Sequence, residues 1–500
     1  MRLAVLKETR PGEARVAATA DTVKKLMALG LEVAVQSGAG LGAAISDQEF
    51  AAAGAAIAPD AAATLAGAAI VLAVQAPDAP ARAAIPRGAL LLCISGALSQ
   101  PGLVPTLAQQ GVDLVAMELL PRITRAQSMD VLSSQSNLAG YRAVIEGAGA
   151  FDRGFAMMMT AAGTVPPARV FVLGAGVAGL QAIATARRLG AIVSATDVRP
   201  AAKEEIRSLG ATYVGVEDEE SAAAQTSGGY AKEMSAAFRT KQAELMVATV
   251  AKNDLVICTA LVMGRKAPTL VTQQMLAGMK PGSVVVDLAS DAGGNCEATV
   301  PGQQTTTPNG VKILGWQNWP ARIPVAASAL YARNLLTFVT TFWDKAAGRP
   351  VLPAEDDIVR GVLLTRDGAV IAEQFRDAAP LAPDAPAPAA GTASGEAAGL
   401  PPPAPAAPHE PAATIVPAHA AAPPGGAQMA HPNTAPAAQT GPDPKLAAEG
   451  LSFTPPGTPP LPLSDVPAGE LLETDDAPAT DGGSFAPPPM PSETAAESRA

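Results

Sequence analysis

The stretch "VFVLGAGVAGL" at residues 170–180 carries Gly174, Gly176 and Gly179, spaced as G-x-G-x-x-G between an apolar β-type run and a helical one. In that context the first glycine allows a tight turn, the second lets backbone approach a pyrophosphate, and the third lets helix and strand pack closely. Asp197 follows roughly 20 residues past the turn, where a carboxylate can accept hydrogen bonds from a ribose. A carboxylate there repels a 2′-phosphate and so favours NAD over NADP, although Arg199, two residues on, is of a type that can accept that phosphate. The expected cofactor is NAD(H), with Val177 and Val198 completing the set beside the turn and the acid.

A second polar concentration is "PRITRAQSMDVLSSQSN" at 121–137. Arg122, Gln127, Asp130 and Ser133 bring a cation, an amide, a carboxylate and a hydroxyl to one short loop and helix start, a set suited to a nicotinamide carboxamide and its ribose. Composition alone supports a solvated loop with an N-cap equally well. Gly228, Gly229 and Tyr230 read either as a flap able to close an aromatic ring over a cofactor or as an ordinary surface loop.

All three histidines, His409, His419 and His431, fall in a Pro/Ala-rich tail. The most common proton-handling side chain of dehydrogenases is therefore missing from every part that reads as folded. Cys93, Cys258 and Cys296 show no close pair spacing, which suits a reduced setting and neither a disulfide framework nor a metal site.

The elements that must position these residues follow an α/β rhythm. Apolar runs at 2–6, 31–36, 69–75, 89–95 and 112–118 alternate with helical stretches such as 19–30, implying a parallel sheet flanked by helices. Residues 136–163 read as a helix pair or one connecting helix, and the rhythm then repeats with strands at 169–173, 191–197, 211–216, 254–260, 282–289 and 311–315. A long amphipathic stretch at 324–343 and an apparent pair of short strands at 358–371 are expected to pack back on the first unit. The fold class is thus two doubly wound, Rossmann-like domains: 1–135, completed by 328–377, and 136–327. Residues 378–500 carry too little bulky apolar surface to offset the entropy of ordering and read as a disordered tail.

A formal net charge of -11, without any basic stripe, argues against nucleic acid as a partner. The apolar window at 61–76 is alanine-heavy and short of a span, so no direct membrane insertion is expected.

Taken together, "KETRPGEARVAAT", "RAQSMDVLSSQSNLAGYRA", "VLGAGVAGLQAIATARRLGAIVSATDVRP", "GGYAKEM", "DLASDAGGNCE" and "PARIPVAASALYARNL" resemble the NAD(H)-binding component of the proton-translocating NAD(P) transhydrogenases, over nearly all of residues 1–377. The resemblance implies that the glycine turn, Asp197 and the loop with Arg122, Gln127, Asp130 and Ser133 hold NAD(H). It also implies that Gly229 and Tyr230 belong to a closing loop and that Gln127 faces NADP(H) on a partner. It further implies a homodimer, peripheral on the cytoplasmic face of the inner membrane, working with an NADP(H)-binding beta subunit and membrane-spanning subunits. The tail lies outside the resemblance.

Alanine dehydrogenase shares the fold and the opening "KE…RVA" pattern. That family supplies a lysine and a histidine from its N-terminal domain, where this sequence reads "VLAVQAPD" and "LLCISGAL" with neither. Arg15 and Lys7 remain, as relics of an anion site or as surface charges. Hydride transfer between two nicotinamide rings moves no proton at the reacting carbons and needs no acid/base side chain, so the missing histidine favours transhydrogenation. A non-catalytic NAD-binding regulator is the remaining alternative.

Overall fold

The computed structural model describes residues 1–216, 235–261 and 264–382. Six strands, β1 (Arg2–Val5), β2 (Glu32–Gln36), β3 (Ala56–Ala58), β4 (Ala68–Gln75), β5 (Leu90–Ile94) and β6 (Asp113–Ala116), form a parallel sheet in the order β3-β2-β1-β4-β5-β6. Their connections carry α1 (Ala20–Met27), α2 (Asp47–Ala52), α3 (Ala61–Leu65), α4 (Ala79–Ala83) and α5 (Leu103–Gln110). Local chemistry starts most of these helices: the side chains of Thr19, Ser46, Asp60 and Asp78 each accept a backbone N–H of the first turn. The strands read as near-continuous apolar runs because helices cover both faces of a parallel sheet.

The next helix, α6 (Val131–Ala150), runs from the first sheet to the second. It starts earlier than the sequence suggested, because Asp130 caps it, and it stops at Ala150 instead of continuing to 163. The Lys312 ammonium closes its end by donating to the Ala150 carbonyl and to Asp152. A hairpin follows, β7 (Met158–Thr160) with β8 (Gly163–Val165).

The second sheet has seven strands, β9 (Arg169–Leu173), β10 (Ile192–Thr196), β11 (Thr212–Tyr213), β12 (Leu255–Cys258), β13 (Val284–Asp287), β14 (Gln304–Thr306) and β15 (Lys312–Leu314), in the order β11-β10-β9-β12-β13-β15-β14. Only the edge strand β14, which the sequence did not announce, is antiparallel. Helices α7 (Val177–Arg188), α8 (Ala202–Ser208), α9 (Ala236–Lys252) and α10 (Gln273–Gly278) accompany it. Both sheets thus reverse direction beside their first strand, at β1/β4 and β9/β12, and the crevice outside the carboxyl ends of those strands is where ligands bind in such sheets.

The chain then forms α11 (Pro324–Thr341) and α12 (Asp357–Val362). Two short hairpins accompany them, β16 (Trp343–Asp344) with β17 (Arg349–Pro350), and β18 (Thr365–Arg366) with β19 (Ala369–Val370). The first half of the expected strand pair at 358–371 is therefore helix. Asp356 caps it by accepting from the Ile358 N–H at 2.8 Å. Tyr331, Leu335 and Phe338 of α11 share one core with Leu3, Val5 and Leu72 of the first sheet, and the Tyr331 hydroxyl donates to the Ala73 carbonyl at 2.9 Å.

α6 crosses α7 at Gly140, where a Cβ would overlap the Ala178 carbonyl oxygen in the first turn of α7. A backbone oxygen cannot swing aside as a side chain can. Gly140→Ala is expected to lower the unfolding free energy by ~1–3 kcal/mol in urea titrations. Gly149→Ala, on the same helix with open space around it, is expected to be neutral or stabilising by up to ~1 kcal/mol.

Candidate functional site

The glycine turn sits at the β9/β12 reversal. Gly174 has φ +100, a conformation that side chains disfavour, and a Cβ at Gly179 would overlap the Gly174 carbonyl. Nothing lies within 4 Å of where a Gly176 Cβ would be, so the backbone there is open to an approaching group. Thr259, just past β12, donates its hydroxyl to the Leu173 and Gly174 carbonyls at 3.2 and 3.1 Å and ties the two strand ends together. α7 starts at Gly176 without a side-chain cap, leaving its first N–H groups free for an anion. Val177 and Val198 are exposed at this edge.

Asp197 closes the turn from the end of β10. Its carboxylate accepts from the Ala175 N–H at 2.7 Å, the Arg199 N–H at 2.8 Å and the Arg199 Nε at 3.0 Å. Arg199 also donates to the Ala175 carbonyl at 3.0 Å. The carboxylate raises the arginine above its ordinary range.

The polar loop forms a 3-10 turn at Thr124–Met129 and leads into α6. Asp130 has the capping role that composition allowed, accepting from the Ser133 N–H at 2.9 Å and the Ser133 hydroxyl at 2.6 Å. Asn334 of α11 pins the loop by donating to the Ser128 carbonyl at 2.9 Å, and Arg125 pairs with Asp356 at 2.6 Å. Arg122 and Gln127 are left exposed. Ten residues of α6, about 15 Å of helix, separate Asp130 from the Gly140 crossing beside the turn. The loop and the turn are thus linked by one helix. Gly229 and Tyr230 lie outside the described residues, as do His409, His419 and His431.

A further cluster at the β1/β4 reversal was not foreseen beyond Arg15. Arg15 is buried and holds Glu13 through Nε at 2.8 Å and a terminal nitrogen at 2.6 Å, while it donates to Gln135 of α6 at 2.8 Å and to Asn318 at 3.2 Å. Asn318, in the left-handed region at φ 48, donates from its side chain to Glu13 at 2.9 Å and from its backbone to Asp291 at 2.8 Å. Loops of both sheets are therefore joined through one ion pair. Burial alone would raise Glu13; the hydrogen bonds and charge of Arg15 outweigh it and hold Glu13 below its usual range. Lys7 is exposed. Gln75 donates to Glu13 at 3.1 Å, and Ser95 donates its hydroxyl to buried Glu118 at 2.7 Å. The sequence signal for this cluster was the run of charges in "KETRPGEAR", which reads as surface until the fold buries it.

Among the described residues no group of three or more His, Cys, Asp or Glu could hold a metal ion, and no helix is long and apolar enough to cross a membrane. Family models for the N-terminal and C-terminal domains of alanine dehydrogenase/PNT match residues 4–139 and 143–373. The first of the polypeptides that make up the NAD(P) transhydrogenase alpha subunit of Rhodospirillum rubrum is 54% identical over 376 residues, covering 74% of this chain and 98% of its own. The chain belongs to the alanine dehydrogenase/PNT family. Within that family the NAD(P) transhydrogenase subunit alpha of Cereibacter sphaeroides is 45% identical, covering 74% of this chain and 71% of its own, whereas an alanine dehydrogenase from Halomonas elongata is 32% identical at 75% and 97% coverage. Among solved structures, a transhydrogenase from Sinorhizobium meliloti matches with TM-score 0.67 and 50% identity, over 74% of this chain and all of its own. An L-alanine dehydrogenase matches with TM-score 0.62 and 25% identity, over 75% of this chain and 98% of its own. The family assigns this chain an NAD(H)-binding, oxidoreductase role.

Glu8 completes the N-terminal cluster. It accepts from the Val74 N–H at 2.6 Å, and burial first, then the neighbouring Glu13, pushes its carboxyl up to about 8. Its folded value exceeds its unfolded value, so the stability it contributes is full below pH ~4.5 and is lost as pH rises through about 8. Thermal melts from pH 5 to 9 are expected to fall in wild type and to flatten in Glu8→Gln; parallel curves would contradict the assignment.

Proposed function

We propose that this protein is the NAD(H)-binding subunit of a proton-translocating transhydrogenase, passing hydride between NAD(H) on its own chain and NADP(H) on a beta subunit. The observation that carries this reading is the engaged Arg15. A dehydrogenase acting on an amino or oxo acid needs a free cation for the substrate carboxylate and a positioned acid/base. Here the guanidinium already forms two parallel bonds with Glu13, the arrangement it would otherwise offer to a substrate. Gln75 and Ser95, in the segments where alanine dehydrogenases carry their lysine and histidine, are bound to Glu13 and Glu118 and are not themselves titrating groups, while the raised carboxyl of Glu8 is engaged by the Val74 and Gln75 N–H groups.

Bound NADH supplies the hydride. The chain's own residues orient the cofactor and screen it: the turn of Gly174, Gly176 and Gly179 and the start of α7 receive the pyrophosphate, and Asp197 receives the adenine-side ribose. Arg122, Asp130 and Ser133 form the wall on the nicotinamide side, with the exposed Gln127 facing the partner's ring. No residue of this set has to move a proton, which is what direct ring-to-ring transfer requires.

The same reading has the protein as a homodimer, peripheral on the cytoplasmic face of the inner membrane, with the proton path in membrane-spanning subunits. The β7–β8 hairpin supports a second copy. Isolated two-stranded hairpins have little stability in water, and this one exposes Met157, Met158 and Met159.

The test is to mix the protein with an NADP(H)-loaded beta subunit and follow reduction of an NAD analogue, with pyruvate plus ammonia in a parallel cuvette. Transfer with the subunit and none with pyruvate is expected; the reverse pattern would remove this reading in favour of alanine dehydrogenase. NADH binding with no transfer in either cuvette would favour a regulator. Gln127→Asn is expected to slow transfer by about a hundredfold while weakening NADH binding by no more than about tenfold. Equal losses would show that Gln127 does not position the rings.

A further inference from the structure

The carboxylate of Asp197 has no acceptor position to spare. A carboxylate offers about four lone-pair sites. The Ala175 N–H takes one at 2.7 Å, the Arg199 N–H another at 2.8 Å, and the Arg199 guanidinium covers both oxygens, with Nε at 3.0 Å and a terminal nitrogen at 3.3 Å. The same guanidinium reaches back to the Ala175 carbonyl of the glycine turn at 3.0 Å and lies 3.9 Å from Glu205 of α8. It therefore lies across the space that a ribose diol must enter to bond with Asp197. The pair is also asymmetric. The Asp197 side chain is 9% exposed, whereas that of Arg199 is 43% exposed and hangs from a chain long enough to swing outward.

We propose that Asp197 and Arg199 act together as the specificity-determining device of this site, in which the guanidinium and the nucleotide ribose compete for one carboxylate. The proposal rests on the reading that the glycine turn binds a dinucleotide. The hydroxyls of an NAD(H) ribose replace the guanidinium on Asp197, donor for donor, and Arg199 moves into solvent beside Glu205. A 2′-phosphate cannot make that exchange, because it brings negative charge to the carboxylate in place of a hydroxyl donor. Arg199 has the charge and planar fork to receive such a phosphate, and Asp197 keeps it neutralised. Cofactor choice is then set by which of the two groups is free, and not by the carboxylate alone.

Two observations separate this from a simple ribose-binding aspartate. The two backbone bonds to Asp197, from Ala175 and Arg199, do not involve the guanidinium, so the carboxylate stays in place when the arginine leaves. The guanidinium half of the pair is also solvent-accessible, so water compensates part of what Arg199 loses when it leaves Asp197.

Equilibrium binding of NADH and NADPH to the full chain, read by nucleotide fluorescence, tests the device in four proteins: wild type, Arg199→Ala, Asp197→Asn and the double variant. Wild type is expected to bind NADH and to bind NADPH at least a hundredfold more weakly. Arg199→Ala removes one bond to the Ala175 carbonyl but keeps the Ala175 N–H bond to Asp197, and should bind NADH as tightly or up to about fivefold more tightly, with NADPH still rejected. Asp197→Asn should bind NADPH at least tenfold better than wild type, and the double variant should lose that gain. A gain for NADPH that survives in the double variant, or an Arg199→Ala protein that loses NADH binding tenfold or more, would overturn the competition. Should Asp197→Asn melt below the assay temperature, Arg199→Ala still decides on its own arm. Wild type that binds NADPH as well as NADH would overturn the inference alone, while wild type that binds neither would remove the dinucleotide reading beneath it.

Discussion

The close crossing of α6 over α7 is the constraint on which the rest of the site depends. With only hydrogen atoms on Gly140, the backbone of α6 comes down onto the first turn of α7, immediately after the glycine turn. The polar loop at the start of α6 and the glycine turn at the start of α7 are consequently held by rigid helices and not by a flexible linker. On the proposed reading a dinucleotide is recognised at both ends, and this packing fixes the interval between the loop and the turn. Pre-organisation of that kind lowers the entropy lost on binding and keeps reacting atoms in register.

The two sheets have the same reversed topology, so each offers a crevice at its strand ends, yet the crevices have opposite fates. At β9/β12 the backbone lies open: Gly176 faces empty space and α7 starts without a side-chain cap. At β1/β4 the crevice is filled by the protein itself. Glu13 occupies the fork of Arg15, and Gln135 and Asn318 take one further donor each, so that every nitrogen of the guanidinium is engaged. A buried, hydrogen-bonded ion pair is costly to break from one side, on the order of 3–5 kcal/mol, so this cluster behaves as a strut between the sheets. One fold thus carries an open crevice and a sealed one, and the difference lies in a few polar side chains.

Much of this was legible in the sequence because it is local. Strand rhythm, the glycine spacing and the acid after β10 are patterns within a few tens of residues, and the two doubly wound sheets follow from them. Where the sequence misled, a long-range contact or a local cap decided the outcome. Helix α6 stops at Ala150 because Lys312, more than a hundred residues away, binds its last carbonyl. Residues 358–362 coil instead of extending because Asp356 caps them. The buried role of Arg15 depends on Gln135 and Asn318, which no spacing rule connects to it. The antiparallel edge strand β14 is only three residues long, too short for an alternation to be read.

The central claim is that this chain hands hydride directly to a second nicotinamide without help from a titrating side chain. It is tested most directly with NADH carrying deuterium at both C4 positions, mixed with the protein and an NADP+-loaded beta subunit, with the products read by mass spectrometry. The account predicts that each NADPH formed carries one deuterium at C4 and that none reaches the water. Deuterium lost to solvent, or NADPH formed without label, would contradict it.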